Sequence, residues 1–209
     1  MKIGQIQLSK SLCAVLFFFV KKKDGFLCSI QDYHWLNEVT IKNKYLLPLI
    51  QELIDKVKKA IYFTKLNIQW GYNNVRIREG DEWKVAFRTN RELFELLVIY
   101  FCLCNSPATF QLMIDLLFQD LISRGKVVIY MDNTLIFSKT LQEHLDIVMD
   151  MLKILKDNKL SVQTKKCLFH QRRIDYLEVI ISKDSVEVDL AKIREVTNWP
   201  KPSNKQDIQ

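Results

Sequence analysis

Apolar positions along the 209-residue chain recur with two periods, and each switch between periods marks an element. The run LCAVLFFFV (Leu12–Val20) reads as a buried strand. Phe17–Tyr33 reads as a hairpin with Asp24-Gly25 at its turn. Pro48 opens a helix with Ile50, Leu53, Ile54 and Val57 at helical spacing. IYFTKLNI, NVRIRE and WKVAFRT follow as strands, with Gly80-Asp81 between the last two. Ser106-Pro107 is a cap and first-turn pair for a helix to about Ser123, with Phe110, Met113, Ile114, Leu117 and Leu121 inward. VVIYMDNTLIFS (Val127–Ser138) predicts a second hairpin, with the polar step Asp132-Asn133-Thr134 at its tip. Thr140 and Glu143 have capping-box spacing before a helix to about Asn158, whose apolar stripe is Leu141, Leu145, Val148, Met149, Leu152 and Leu155. IDYLEVIIS and SVEVDL read as two more strands, and a helix from Ala191 ends before Pro200. This order predicts an α+β chain, an antiparallel sheet backed by long helices, with no linker before Trp199–Gln209.

Composition narrows the function classes. Hydrophobic residues make up 48% of the chain and aromatic residues 11%, enough for a packed core, which excludes whole-chain disorder. The formal net charge of +7 suits an anionic partner, nucleic acid first, although a solvated basic surface has the same charge. Five cysteines (Cys13, Cys28, Cys102, Cys104 and Cys167) are odd in number and lack zinc-ligand spacing. They read as reduced, mostly buried thiols of an intracellular protein of cytoplasm or nucleus, not a secreted one. Leu12–Val20 is too short to span a bilayer and runs straight into Lys21-Lys22-Lys23, so no membrane role is expected. His34, His144 and His170 share no ligand spacing. Trp35, Trp83 and Trp199 read as packing residues, with Trp70 the exception.

A carboxylate fixed on a rigid turn, such as Asp132, suits a metal ion, while an ordinary turn uses Asp and Asn for local hydrogen bonds alone. The motifs in register decide between these readings. KKKDG, QDYHWLN, LNIQWGY, NSPATFQ and YMDN, in this order and at these separations, resemble the reverse transcriptase domain of gypsy-type LTR retrotransposons from about Ser9 to the C-terminus. The resemblance implies a right-hand polymerase with fingers and palm over 1–182 (fingers at about 10–60 and 84–106, interleaved with palm). It also implies a truncated thumb or connection segment over 183–209. The rest of a Pol polyprotein (protease, RNase H, integrase) is absent from this chain. The implied activity is RNA-directed DNA polymerisation, a nucleotidyl transfer using two Mg²⁺ or Mn²⁺ ions. The implied partners are an RNA or DNA template–primer duplex and a dNTP.

Residue by residue, the family's three metal-binding aspartates correspond to Asn67, Asp132 and Asn133, and the Ile68 backbone corresponds to a further metal contact. Two of three carboxylates are therefore amides, which implies an impaired enzyme or a pseudoenzyme that at most binds nucleic acid. The nucleotide pocket corresponds to Lys22, Cys28 (a fingers arginine in the family), Trp70, Gly71, Tyr72 and Phe101, with Pro107 at the template wall. Tyr72 would floor the sugar pocket, or serve simply as a core tyrosine. Tyr176, Leu177 and Glu178 correspond to the primer grip. Cys102 and Glu178 stand where the family has glycine, and strained backbone is expected at both. His34 replaces an arginine and Leu47 a proline. These departures, Cys102 excepted, each need one C-to-T or G-to-A codon change, the pattern that decay of a silenced element leaves.

Overall fold

The computed structural model describes residues 4–21, 25, 27–58, 60–183 and 185–188. Among them the chain is α+β with three sheets. The first sheet runs β1 (Ile6–Leu8), β6 (Leu93–Leu96), β5 (Ala86–Arg88), β2 (Val15–Lys21), β3 (Leu27–Gln31) in spatial order, with β2 and β5 parallel. Short helices α1 (His34–Val39) and α2 (Ile50–Val57) lead into β4 (Tyr62–Asn67). Helices α3 (Ser106–Leu117) and α4 (Gln119–Ser123) precede the hairpin β7 (Val127–Tyr130)–β8 (Asn133–Ser138), and α5 (Leu141–Asp157) follows it. The central antiparallel sheet has the order β7-β8-β4-β9, with β9 at Leu168–Gln171. The third sheet is the meander β10 (Arg173–Tyr176), β11 (Val179–Ser182), β12 (Val186–Val188).

Strands β4, β7 and β8 of the central sheet have a core on each face, which explains the unbroken apolar runs Val127–Ile129 and Leu135–Phe137, while β9 is exposed. Leu66, Val127, Ile129 and Ile136 pack on one face against Phe110 and Ile114 of α3 and Ile147, Val148 and Met151 of α5. Phe63, Val128, Leu135 and Phe137 pack on the other against Leu53 and Val57 of α2 and Ile174 and Ile181 of the third sheet. Alternate residues serve opposite cores, as the two-residue period of a strand requires.

Several expectations need correction. β2 is mostly exposed, with Phe18, Phe19 and Val20 all open to solvent, because β3 and β5 flank it edge-on and only Val15 and Phe17 reach the small core around Tyr33 and Phe87. NVRIRE is no strand: Gly71–Asn74 form a 3₁₀ turn in which the Asn74 amide caps the Gln69 and Trp70 carbonyls, leaving one isolated bridge, Arg76 to Val98. In WKVAFRT only Ala86–Arg88 is strand, since Glu82–Val85 coil into another 3₁₀ turn. The long helix from Ser106 breaks at buried Phe118 (φ −107°, ψ 18°), and Asn105, not Ser106, occupies its cap position. IDYLEVIIS folds back on itself at Leu177-Glu178. On α5 the buried face is His144, Ile147, Val148, Met151 and Leu155, while Leu141, Leu145 and Met149 are exposed; Thr140 makes no side-chain cap bond and Glu143 pairs with Lys126 instead.

None of the five cysteines is fully buried. Trp35, Trp70 and Trp83 are exposed rather than packed, and Trp199 lies outside the described residues with the rest of 189–209, including the helix expected from Ala191. Cys102 does not take a positive φ; Glu178 (φ 72°) and its neighbour Leu177 (φ 47°) both do. No helix among the described residues is long and apolar enough to cross a membrane.

His144 is a fully buried polar residue on the core face of α5. Its Nε2 lies 2.7 Å from Thr64 Oγ1 on β4, its Nδ1 has no partner, and its ring meets that of His170 at 5.4 Å. Burial first, and then the neighbouring His170, pull the imidazole down from its ordinary 6.5 to about 4. The folded chain therefore holds it neutral, while the unfolded chain protonates it below about pH 6.5. Stability from this group is complete above pH 6.5 and is lost as pH falls toward 4, by on the order of 2 kcal/mol. Urea melts of wild type and His144→Gln between pH 7 and 4.5 are expected to show a flatter acid-side slope in the variant.

At the β10–β11 turn two consecutive left-handed residues fit a type I′ hairpin, which favours Asn-Gly. Glu178→Gly removes a Cβ penalty of about 1 kcal/mol, so thermal melts are expected to rise by about 2–4 °C.

Candidate functional site

The tip of the β7–β8 hairpin is a two-residue turn, Met131-Asp132, in which only the first residue takes positive φ (58°), the type II′ pattern. Methionine there is strained, and a buried side chain compensates. Gln111 of α3 is fully buried; its Oε1 accepts the Met131 N–H at 2.7 Å and its Nε2 donates to Asp115 Oδ1 at 2.9 Å and to the Ile129 carbonyl at 3.3 Å. The Asp132 carbonyl accepts the Ile68 N–H at 2.8 Å, tying the turn to the end of β4. That bond engages the Ile68 backbone, and the Ile68 side chain is buried in the helix-side core.

Antiparallel pairing of β4 with β8 sets Asn67 opposite Asn133, so the three sequence-predicted positions do converge. Asn67 Nδ2 donates to Asp132 Oδ2 at 2.9 Å and to Asn133 Oδ1 at 3.3 Å, and Asn133 Nδ2 donates to Asp132 Oδ1 at 3.2 Å. Both oxygens of the single carboxylate therefore face amide N–H groups. Turning the Asn67 amide over would set its oxygen against that carboxylate, so the charge itself selects the orientation. This donor set does not fit a pair of magnesium ions, which need hard anionic oxygens from more than one carboxylate. Among the described residues no cluster of three or more His, Cys, Asp or Glu side chains is placed to hold a metal ion.

Gly71 sits in a tight spot, where any side chain would push on the Phe110 ring. A Cβ there would meet the buried Phe110 ring at 3.0 Å and Asp132 Cβ at 3.6 Å. Tyr72 follows it, edge-on to Phe110 at 5.6 Å and half-buried, its phenol pushed up from its ordinary value by burial and then by the charge of Asp132. Its ring packs against the core, as a core tyrosine does. Trp70 is left-handed (φ 54°) with its ring in solvent. Phe101 is exposed, its ring tilted 38° against that of Tyr100 at 4.6 Å, and the Tyr100 hydroxyl is 2.7 Å from Ser29 Oγ. Cys28 adjoins Ser29 on β3, opposite Val20, and Lys22 lies outside the described residues. Pro107 sits in the first turn of α3. The Tyr176 hydroxyl donates to the Asn133 carbonyl at 3.2 Å, joining the Leu177-Glu178 turn to the Asn67–Asp132–Asn133 cluster.

A cavity of about 420 Å³ opens beside the cluster, lined by Lys65, Asn67, Asp132, Asn133, Lys165, Lys166 and Leu168. Its three lysines were not singled out from sequence. Only the pairing of β4 with β9 (Lys65 opposite Leu168) and the 3₁₀ turn Thr164–Lys166 bring them to one place. Gln111 was equally hidden, since a polar residue beside an apolar stripe looks solvent-facing.

With this geometry in view, comparison with known proteins is specific. Residues 20–181 match the family model described as reverse transcriptase (RNA-dependent DNA polymerase). The chain is 37% identical over all 209 residues to the transposon Tf2-7 polyprotein of Schizosaccharomyces pombe, and equally to the Tf2-8 polyprotein; it spans only 16% of either relative. Among solved structures, the foamy viral protease–reverse transcriptase in complex with double-stranded DNA superposes with a TM-score of 0.91 at 19% identity, over 100% of this chain and 36% of that one. The same viral protein with an RNA/DNA hybrid gives 0.87 at 18% identity, over 99% and 27%. These likenesses establish the fold as that of the polymerase palm and fingers. This chain belongs to the reverse transcriptase (RNA-dependent DNA polymerase) family.

Proposed function

We propose that this domain keeps the frame for holding a template–primer duplex and has lost most or all of the templated nucleotide addition of its family. Fingers and palm occupy 1–182 in this reading, with the fingers at about 10–60 and 84–106 and a thumb or connection segment starting at 183. Its partners are an RNA or DNA duplex and a dNTP, inside the cell, as befits a piece of a transposon polyprotein. One observation carries the proposal: the family's three-carboxylate cluster is here a closed amide–carboxylate–amide set, Asn67, Asp132 and Asn133. Reverse transcriptases depend on divalent metal. Each unit-charge pair at contact contributes roughly 4 kcal/mol at an effective dielectric near 20. Two charges fewer beside paired dications is therefore a large deficit, whether the ion is Mg²⁺ or Mn²⁺. No catalytic step is assigned to the domain as it stands.

The frame for duplex binding has separate support. The net charge is +7, and the Leu177-Glu178 turn hangs from Asn133 through Tyr176, where a primer grip would need to sit. The solved relatives at TM-scores of 0.91 and 0.87 hold double-stranded DNA and an RNA/DNA hybrid. Phosphate contacts of this kind give steep salt dependence and little sequence preference.

Primer extension on a homopolymer RNA template tests the catalytic part. Wild type is expected to extend at background level with Mg²⁺ and weakly at most with Mn²⁺, and the double reversion Asn67→Asp with Asn133→Asp to raise extension at least 100-fold. Robust extension by the unaltered chain overturns the reading.

A further inference from the structure

The cavity beside Asp132 carries the opposite charge from the one a dication site needs. Lys65, Lys165 and Lys166 face one carboxylate, a formal excess of two positive charges in the lining. The carboxylate is itself shielded by donors, since Asn67 Nδ2 and Asn133 Nδ2 cover its two oxygens. The lysines are held by the fold to different degrees. Lys65 is largely covered and pinned by the Asp175 carbonyl at 2.8 Å and the Asp175 carboxylate at 3.2 Å, which offsets part of its charge. Lys165 and Lys166 are exposed, but their turn is bolted to β4, because Gln163 N–H donates to the Asn67 carbonyl at 2.8 Å and Lys166 N–H to the Gln163 carbonyl at 2.8 Å. The strand that carries the lost aspartate therefore also fixes the lysine turn.

We propose that the palm cavity of this chain is an oxyanion site, one that takes a pyrophosphate-class anion directly with no divalent cation between protein and phosphate. Ammonium groups neutralise the phosphate oxygens from the Lys65, Lys165 and Lys166 side. No second or third carboxylate repels the anion, so the metal that would otherwise bridge it is unnecessary. Substituting amides for two aspartates thus reverses the preference of the cavity as well as weakening a metal site. The inference shares the placement of Asn67, Asp132 and Asn133 with the functional reading above and does not depend on duplex binding. The phosphate can come from a free diphosphate or triphosphate, or from the backbone of a bound nucleic acid.

Isothermal titration of the full chain with inorganic pyrophosphate in EDTA tests it, with circular dichroism to verify folding of each variant. Saturable binding is expected in wild type. Lys165→Ala with Lys166→Ala is expected to weaken it at least 10-fold. Asn67→Asp with Asn133→Asp should also weaken it at least 10-fold in EDTA and recover it on adding Mg²⁺. The exposed pair Lys153→Ala with Lys156→Ala on α5 is expected to stay within 2-fold of wild type. Equal loss in that control pair means a diffuse basic surface and overturns the proposal. So does wild-type binding that appears only with Mg²⁺, or an Asn-to-Asp variant of unchanged affinity in EDTA. A second titration with a short RNA/DNA duplex separates the sources: displacement of bound duplex by pyrophosphate assigns the cavity to backbone phosphate as well, and coexistence of the two assigns it to free anion. A chain that binds pyrophosphate but no duplex refutes the duplex-holding function and leaves the oxyanion site standing.

Discussion

The pairing of β4 with β8 is the constraint from which the rest of the palm follows. Six residue pairs run in register from Tyr62–Ser138 to Asn67–Asn133, and the ladder is buried on both faces. A slip of one residue would turn Phe63 toward the helices and Leu66 toward the third sheet, emptying both cores at once. Hydrophobic packing thus fixes the register, and the register fixes where the chemistry-bearing ends meet. Asn67, Asp132 and Asn133 come together because the apolar residues behind them have no other arrangement.

Stability and chemistry separate at this cluster. Three carboxylates at the end of one ladder repel one another and are tolerated in active polymerases for what they bind. Two amides convert that repulsion into three hydrogen bonds within the fold. Loss of a strained, like-charged site commonly leaves a fold no worse off, and sometimes firmer. The palm keeps other strain nonetheless. Met131 sits left-handed at the hairpin tip under the hold of Gln111, and Leu177 and Glu178 occupy a turn better suited to Asn and Gly. The first strain accompanies a supporting side chain; the second comes from two Cβ-bearing residues in left-handed backbone.

Histidine placement shows what spacing does not reveal. His144 and His170 are 26 positions apart and share no ligand spacing; β9 brings their rings into contact beside Thr64, and among the described residues they join no metal-ligand cluster. The stripe on α5 rotated for the same reason: the helix docks by His144, Ile147, Val148 and Met151, which the period-based reading split between faces.

Local sequence determined a good deal here. The two hairpins, the helices near Pro48, Ser106 and Thr140, and the meeting of Asn67 with Asp132 and Asn133 were legible, because apolar periodicity and turn chemistry are short-range properties and the motif order supplied the long-range pairing. Tertiary structure alone decided the turn at Leu177-Glu178, the 3₁₀ segments around Asn74 and Trp83, and the break at Phe118, where packing overrides local propensity; no Gly or Pro stands at Leu177-Glu178 or at Phe118. It also decided that Gln111 lies inside and that Lys65, Lys165 and Lys166 share one cavity. Charge and burial at a site depend on which strands become neighbours, and no stretch of chain carries that information by itself.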